Sequence, residues 1–377
     1  MEGKKIALVY DWFDKEGGAE RLFRILLRIF PKADVYTSYW DSDKITWLNK
    51  RIVKQSFLKN IPKFLRNRKL LTLLYPFAFE SFDFTGYDLV ISMTAYFAKS
   101  VVTKPETKHL CYLFTPPRFL WRFEDLYLSR PNKFLLFPAL SYLRSFDYLS
   151  AYRPDKYIFL SDFVKRLAQN TYKTTGEVVY PPFDKTYWQQ VFDGYKKNKN
   201  KIASRFKLAV SRPYFLFVGR LEPYKRVDLF CQEARYFNNC NFIIVGKGSE
   251  YKKLLKHKLD NLFFYQDLTD QDLAFLYSNA LFTVMPQSEE FGYTALESVF
   301  FETPIVTYRE SAPAEYARRF SIIFNKQTVS ELKTALEMSI TLSYNLKMTI
   351  KKNKSQFFKQ FEIEQFVNKL FNIINQL

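Results

Sequence analysis

One feature constrains the fold more than any other: a rhythm of short apolar runs, spaced by amphipathic stretches, that occurs twice along the chain. In the first half the runs are Ile6–Tyr10, Leu89–Ser92, Leu110–Leu113, Tyr157–Leu160 and Val178–Tyr180. In the second they are Tyr214–Val218, Phe242–Val245, Leu262–Tyr265, Phe282–Met285 and Ile305–Tyr308. Most are β-branched or aromatic and lack polar alternation, as strands buried on both faces must. Between them lie helical patterns such as Leu22, Ile25, Leu26 and Ile29, which share one helical face. Strand and helix in turn describe a parallel sheet covered by helices, and the repetition describes two of them.

The 377 residues suit two domains. The spacing predicts residues 1–190 as one Rossmann-like α/β domain, 205–355 as a second, and 356–377 as a terminal helix. The lysine- and asparagine-rich run Tyr195 to Lys201 reads as a solvated linker or a charged helix end. A second Lys-rich stretch, Lys347 to Lys354, precedes the final helix, whose apolar stripe is Phe357, Phe361, Phe366, Leu370 and Ile373.

Cys111, Cys231 and Cys240 follow no metal or disulfide spacing and read as reduced thiols. With no signal peptide visible, and no apolar run near the ~20 residues that span a bilayer, a cytoplasmic protein is expected. The formal charge of +19 calls for anionic partners. From Ile45 to Phe79 there is no acidic residue, and the basic and apolar residues of 50–71 interleave. That pattern fits peripheral attachment to an anionic membrane, the inner face of the cell membrane, but also an ordinary surface helix or a nucleic-acid contact.

Three segments carry chemistry. In Phe215-Leu-Phe-Val-Gly219-Arg220-Leu-Glu-Pro-Tyr-Lys225 a strand ends at Gly219 and two cations follow, five residues apart. An arginine fork and a lysine point charge at the C-terminal edge of a parallel sheet suit a diphosphate, or are two surface cations. In Glu289-Glu-Phe-Gly-Tyr-Thr-Ala-Leu-Glu297 a strand and a turn lead into a helix. Glu289 lies at its mouth, and the first-turn amides of Phe291, Gly292 and Tyr293 form an anion site. Glu297 lies about two turns on. Two such carboxylates can hold different hydroxyls of one ligand, or be a cap and a solvated glutamate. Third, Gly17-Gly18-Ala19-Glu20 opens the first helix, where paired glycines admit a phosphate or sugar, or simply make a loop. Asp41-Ser-Asp43 is a lone Asp-x-Asp in a tryptophan-flanked loop, read as structural; no metal site is expected.

Together these segments resemble glycosyltransferase family 4, retaining nucleotide-sugar-dependent enzymes of the GT-B fold, over nearly the whole chain. Tyr87–Ser92, Phe114–Trp121, Val178–Asp184, Ile244–Ser249 and Thr303–Val306 add to the likeness. The resemblance implies two Rossmann-like domains whose parallel sheets face across a cleft. It implies that Arg220 and Lys225 grip the donor diphosphate, that Glu289 contacts the transferred sugar, and that Glu297 holds the ribose. It further implies that Gly219 and the amides around Phe291, Gly292 and Tyr293 line the donor site, and that Gly17 and Gly18 approach the donor from the other domain. The last helix would cross back to the N-terminal domain. Arg220, Lys225 and Glu289 are the expected catalytic groups, with no cofactor and no metal.

The implied activity is transfer of a hexose, with retention, to a glycan or lipid-linked acceptor in surface polysaccharide or glycolipid synthesis. Relatives resembling this chain often use GDP-mannose as donor, so a mannosyltransferase-like enzyme is the lean. Paired carboxylates would serve no purpose in a nucleic-acid binder, and no nucleic-acid partner is expected. The departures from the family pattern are Ala95 and Phe114 where relatives often carry histidines, Glu302 where Gly is usual, and Ser311-Ala312 in place of a Gly pair. They motivate the alternative of a catalytically degenerate binding or partner subunit. His109 and His257, the only histidines, read as bystanders.

Overall fold

The structure is a computed structural model that describes residues 3–62, 71–123, 133–257 and 259–377. The chain divides into two units. The first comprises Met1–Pro182 with Glu364–Leu377, and the second Phe183–Ile363.

The first unit is built on seven parallel strands, β1 (Ile6–Tyr10), β2 (Asp34–Thr37), β3 (Val53–Gln55), β4 (Leu89–Thr94), β5 (Lys108–Leu113), β6 (Lys156–Phe159) and β7 (Glu177–Val178). Their order is β3-β2-β1-β4-β5-β6-β7. All five residues of β1 are buried, which is why it reads as an unbroken apolar run. The helix Gly18–Ile29 turns Leu22, Phe23, Leu26 and Leu27 into the core, so the buried stripe lies slightly off the predicted one and Ile25 and Ile29 are only half-covered.

The second unit carries six parallel strands, β8 (Tyr214–Val218), β9 (Asn241–Val245), β10 (Leu262–Tyr265), β11 (Phe282–Met285), β12 (Ile305–Tyr308) and β13 (Ser321–Phe324), ordered β10-β9-β8-β11-β12-β13. Its core is rich in aromatics: Phe215, Phe217, Phe230, Phe242, Phe282 and Phe324 are all buried together. Each such ring contributes roughly 1.5–3 kcal/mol by burial. Both sheets reverse their winding direction once, between β1 and β4 and between β8 and β11. In open α/β sheets that switch point is where the strand ends leave room for a ligand.

Several expectations need correction. Of the two readings of Tyr195 to Lys201, the charged helix end holds and the linker does not: the run spans the end of helix Lys185–Lys197 and the start of helix Lys199–Arg205, both in the second unit. The division falls at Pro182, ahead of both helices, instead of between 190 and 205. Lys347 to Lys354 lies inside a 30-residue helix, Val329–Phe358. The apolar stripe assigned to one last helix is split. Phe357 ends the long helix, Phe361 sits in a 3-10 turn, and Phe366, Leu370 and Ile373 belong to the helix Ile363–Asn375. Residues 364–377 return to the first unit, where Phe371 meets Phe30 and Phe366 stacks on Tyr112.

Residues 50–62 form a strand and a 3-10 turn (Phe57–Asn60), not one amphipathic helix. Lys54 there is held by the hydroxyls of Tyr36 and Tyr87, at 2.9 and 3.0 Å, and by Asp34. Lys63, Phe64, Leu65, Arg66, Arg68, Lys69 and Leu70 lie outside the described residues. Among the described residues no helix is long and apolar enough to cross a membrane.

Candidate functional site

The two segments expected to form a donor site leave the strands that flank the switch point of the second unit. Arg220 and Lys225 follow β8, and Glu289 follows β11, its hydrogen-bonded neighbour.

Backbone contact fixes the first loop. The amide of Gly219 donates to Val245 O (3.0 Å), that of Leu221 to Lys247 O (2.8 Å), and that of Glu250 to Leu221 O (2.9 Å). The loop after β9 thus runs against the loop after β8, and only glycine permits the approach. Gly246 has φ +155°, and a Cβ there would lie 1.8 Å from the Gly219 carbonyl oxygen; one on Gly248 would lie 2.2 Å from that of Leu221. This is the physical content of the Gly-Lys-Gly run in Ile244–Ser249.

Beyond Leu221 the chain makes a 3-10 turn, Pro223–Lys225, and passes through a left-handed Arg226 (φ +51°) into the helix Val227–Glu233. The buried Tyr224 joins the two cations. Arg220 donates to its hydroxyl at 2.5 Å, with the guanidinium carbon 5.9 Å from the ring centre, and Lys225 Nζ lies 5.5 Å from the same centre. Contacts of this kind hold a cation in place at modest energy, ~0.5–1 kcal/mol where exposed.

Lys225 reaches Glu289 and donates to its Oε2, an ion pair with side chains only 12% and 15% exposed. Gln287 donates to the same oxygen at 2.9 Å. Burial strips both ions of water, and their mutual attraction offsets that cost. The main chain of Glu289 is fixed by the amide of Ala312, 2.7 Å from its carbonyl oxygen. Ala312 is right-handed (φ −61°), a conformation that does not itself demand glycine.

Gly292, with φ +81°, turns the chain into the helix Tyr293–Phe300; a Cβ there would press on Glu289 Cγ, Met285 Cε and Pro313 Cγ at 3.0–3.1 Å. The Tyr316 hydroxyl lies 2.8 Å from the Phe291 carbonyl oxygen and 3.0 Å from that of Gly292, holding the mouth of the helix. The rings of Phe291 and Tyr293 pack edge to face. Glu297 lies on that helix, 7% exposed, and accepts a 3.0 Å hydrogen bond from the Tyr277 hydroxyl.

In the first unit Gly17 caps the helix Gly18–Ile29 in extended conformation, and a Cβ on it would lie 3.0 Å from Glu20 Oε2. Glu20 is buried and accepts from Tyr10 at 2.7 Å; burial raises its pKa, against that hydrogen bond. Residue 114, where the family resemblance led to the expectation of a histidine, is a buried Phe114 packed on Tyr10 and Tyr112. Ala95 donates its amide to Asp11, a buried carboxylate that also accepts from Thr94, Phe97 and Ala98. Both positions are thus absorbed into packing and loop stapling.

His109 is a core residue, its Nε2 2.8 Å from Ser92 Oγ and its pKa lowered to about 3 by burial. Asp41 accepts from the amide of Asp43 at 3.3 Å and pairs with Lys44, an ordinary turn. The three cysteines are free and buried.

Sequence reasoning missed Tyr224 and Tyr277, and also Asp147, which receives Lys99, Trp121 and Tyr172 in a buried cluster. Tyr224 lies inside the quoted motif and its placement between two cations was a usable signal. Tyr277 gave none, since it reaches Glu297 from another helix.

Residues 198–357 match the family model described as Glycosyl transferases group 1. An uncharacterized glycosyltransferase of Methanocaldococcus jannaschii, MJ1178, is 25% identical over 169 residues, 43% of this chain and 48% of that protein. A glycogen synthase of Flavobacterium johnsoniae is 28% identical over 107 residues, 26% of this chain and 23% of that enzyme. The chain thus spans about half the length of these curated relatives, or less. Solved structures match over the whole chain. Anabaena Alr3699/HepE in complex with UDP superposes with a TM-score of 0.70 at 14% identity, covering 99% of this chain and 100% of that one. WaaG, a glycosyltransferase involved in lipopolysaccharide biosynthesis, superposes with a TM-score of 0.64 at 18% identity, covering 98% and 99%. These likenesses show the fold. The second unit is thus similar to the Glycosyl transferases group 1 model, and the whole chain shares the two-domain α/β fold of those solved structures, the GT-B fold.

Proposed function

We propose that the chain is a retaining glycosyltransferase that moves a hexose from a nucleoside diphosphate sugar to a glycan or lipid-linked acceptor in surface polysaccharide or glycolipid synthesis. The observation that carries this reading is the Lys225–Glu289 pair: a cation from one side of the switch point meets an acid from the other. A donor has the same polarity in miniature, an anionic diphosphate bonded to a hydroxyl-rich sugar.

In this reading Arg220 and Lys225 stabilise the diphosphate as its bond to the anomeric carbon breaks. Glu289 accepts hydrogen bonds from the sugar hydroxyls, and Gly219 and the amides of Phe291, Gly292 and Tyr293 line the site. The acceptor oxygen bonds to the anomeric carbon on the face the diphosphate leaves, and its proton passes to the departing phosphate oxygen. Fixed cations facing the developing charge supply the catalysis, and the step calls for no metal. Complexes of HepE with UDP and UDP-glucose support a nucleotide-sugar donor, and WaaG supports a surface glycan. The family resemblance supports GDP-mannose. Exposed Lys50, Phe57 and Lys59 support contact of the 50–71 region with an anionic membrane.

The packing of Phe114 and Ala95 favours a second reading, a partner subunit that binds a donor without turning it over. One experiment separates the two. GDP-mannose, UDP-glucose and related donors are supplied with lipid-linked and glycan acceptors, and nucleoside diphosphate release is measured. Release that depends on acceptor and on Arg220 supports the transferase. Calorimetric binding with no release across the panel supports the partner subunit.

A further inference from the structure

We infer that Tyr277 is a positioning residue that orients Glu297 toward the ribose of a nucleotide, and so gives the second unit its preference for ribonucleotides over nucleotides lacking ribose hydroxyls. The inference rests on the donor-site reading above and adds a residue from a separate helix.

Tyr277 is fully buried on the helix Asp270–Asn279. Its ring lies parallel to that of Phe301, 5.8 Å between centres and 7° between planes. Its carbonyl oxygen accepts from Thr303 Oγ1 at 2.5 Å. Thr303 is tied in turn to Ser298 by two bonds, its amide to Ser298 O at 2.9 Å and Ser298 Oγ to its carbonyl at 2.8 Å. Ser298 follows Glu297 in sequence, so the segment that carries the carboxylate also ties down the main chain of Tyr277, whose phenol meets it.

The phenol has one proton to donate, and it goes to Glu297 Oε2 at 3.0 Å. Burial, and then the charge of Glu297, push the Tyr277 pKa well above its ordinary value, so the hydroxyl stays a donor across the working pH range. A carboxylate left to rotate about its last bond presents its oxygens in many directions. A fixed donor on Oε2 limits that rotation, and a carboxylate, with roughly four acceptor sites, can also take ligand hydroxyls. A vicinal diol needs such a fixed pair of acceptors; a sugar without hydroxyls gains nothing from it.

The test is calorimetry with UDP and GDP and their 2′,3′-dideoxy forms, on wild type, Tyr277→Phe, Glu297→Gln and Tyr277→His. Wild type should bind the ribo form of its preferred diphosphate about 10-fold more tightly than the dideoxy form, the worth of one good hydrogen bond to a charged group. Y277F should lose that preference while its affinity for the dideoxy form stays unchanged, and E297Q should lose it likewise. Y277H, which offers a ring N–H in place of the hydroxyl, should retain part of it, and decides the matter should Y277F not fold. A Y277F protein that weakens both forms equally, or keeps the full preference, overturns the inference, as does a Y277H protein with no preference. Wild type that binds neither UDP nor GDP overturns the donor-site reading as well. Wild type that binds a diphosphate without regard to ribose overturns the role of Glu297 and Tyr277 while leaving the diphosphate site standing.

Discussion

Glu233 makes the stability of the second unit depend on pH in a direction opposite to most carboxylates. It ends the helix Val227–Glu233, is 0% exposed, and neither carboxyl oxygen has a hydrogen-bond partner among the described residues. Burial is the main cause that raises its pKa, from 4.5 to about 7; Lys333 and Arg235 oppose the shift and Glu337 adds to it. The carbonyl end of its helix also disfavours a negative charge. A carboxyl whose folded pKa lies above its unfolded pKa holds its proton more tightly in the folded state. Its destabilising effect is therefore absent below pH 4.5, grows as pH rises through the window, and is complete above about 7. At about 1.4 kcal/mol per pH unit the full effect is roughly 3 kcal/mol, an upper value because water entry relaxes it. Glu233→Gln mimics the protonated acid. Its melting temperature should match wild type near pH 4.5 and exceed it near pH 8 by roughly 6–12 °C, at about 2–4 °C per kcal/mol for a domain of this size. Thermal melts across pH 4.5–8.5 read this directly. A constant difference between variant and wild type over that range would refute the reasoning.

Other outcomes follow from the same structure. Arg220→Ala should lower turnover about 100-fold or more, some 3 kcal/mol of transition-state stabilisation, and near-normal turnover would remove Arg220 from the role. Lys99→Met strands Asp147 in the core, where both side chains are 0% exposed, and should cost about 3–5 kcal/mol by chemical denaturation; a loss under 1 kcal/mol would show that Trp121 and Tyr172 suffice. Glu302 is left-handed (φ +63°) and is tethered to Lys354 at 2.9 Å and Lys351 at 3.8 Å. Glu302→Ala keeps the strain and Glu302→Gly relieves it, so the glycine variant should be the more stable of the two by about 1 kcal/mol; equal midpoints would speak against strain. Chelation with EDTA should leave transfer unchanged, and loss of activity restored by a divalent ion would contradict the proposed step.

The sheets were legible because unbroken runs of apolar, β-branched and aromatic residues mark strands whether fully buried or, as at Leu262–Tyr265, half-buried at an edge: Ile6–Tyr10, Tyr214–Val218, Leu262–Tyr265, Phe282–Met285 and Ile305–Tyr308 occupy the predicted positions without shift. β2 and β3 were not legible, since Asp34–Thr37 and Val53–Gln55 are short and mixed in polarity and become strands only by pairing with β1 and with each other. β13 escaped because Ser321–Phe324 opens on a polar residue directly after the 3-10 turn Arg318–Phe320, and its pairing with β12 imposes the conformation.

The candidate site divides along the same line. Sequence alone determined which charges were available and that they follow strand ends, because Gly219-Arg220, Lys225, Glu289 and Glu297 sit at fixed offsets from apolar runs. Only tertiary structure decided that β8 and β11 lie side by side, and hence that Lys225 meets Glu289. It also decided that Tyr277 reaches Glu297 from a different helix. Local sequence sets which conformation a segment can adopt, while the pairing of strands far apart in the chain is settled by the burial of whole faces, which no single segment encodes.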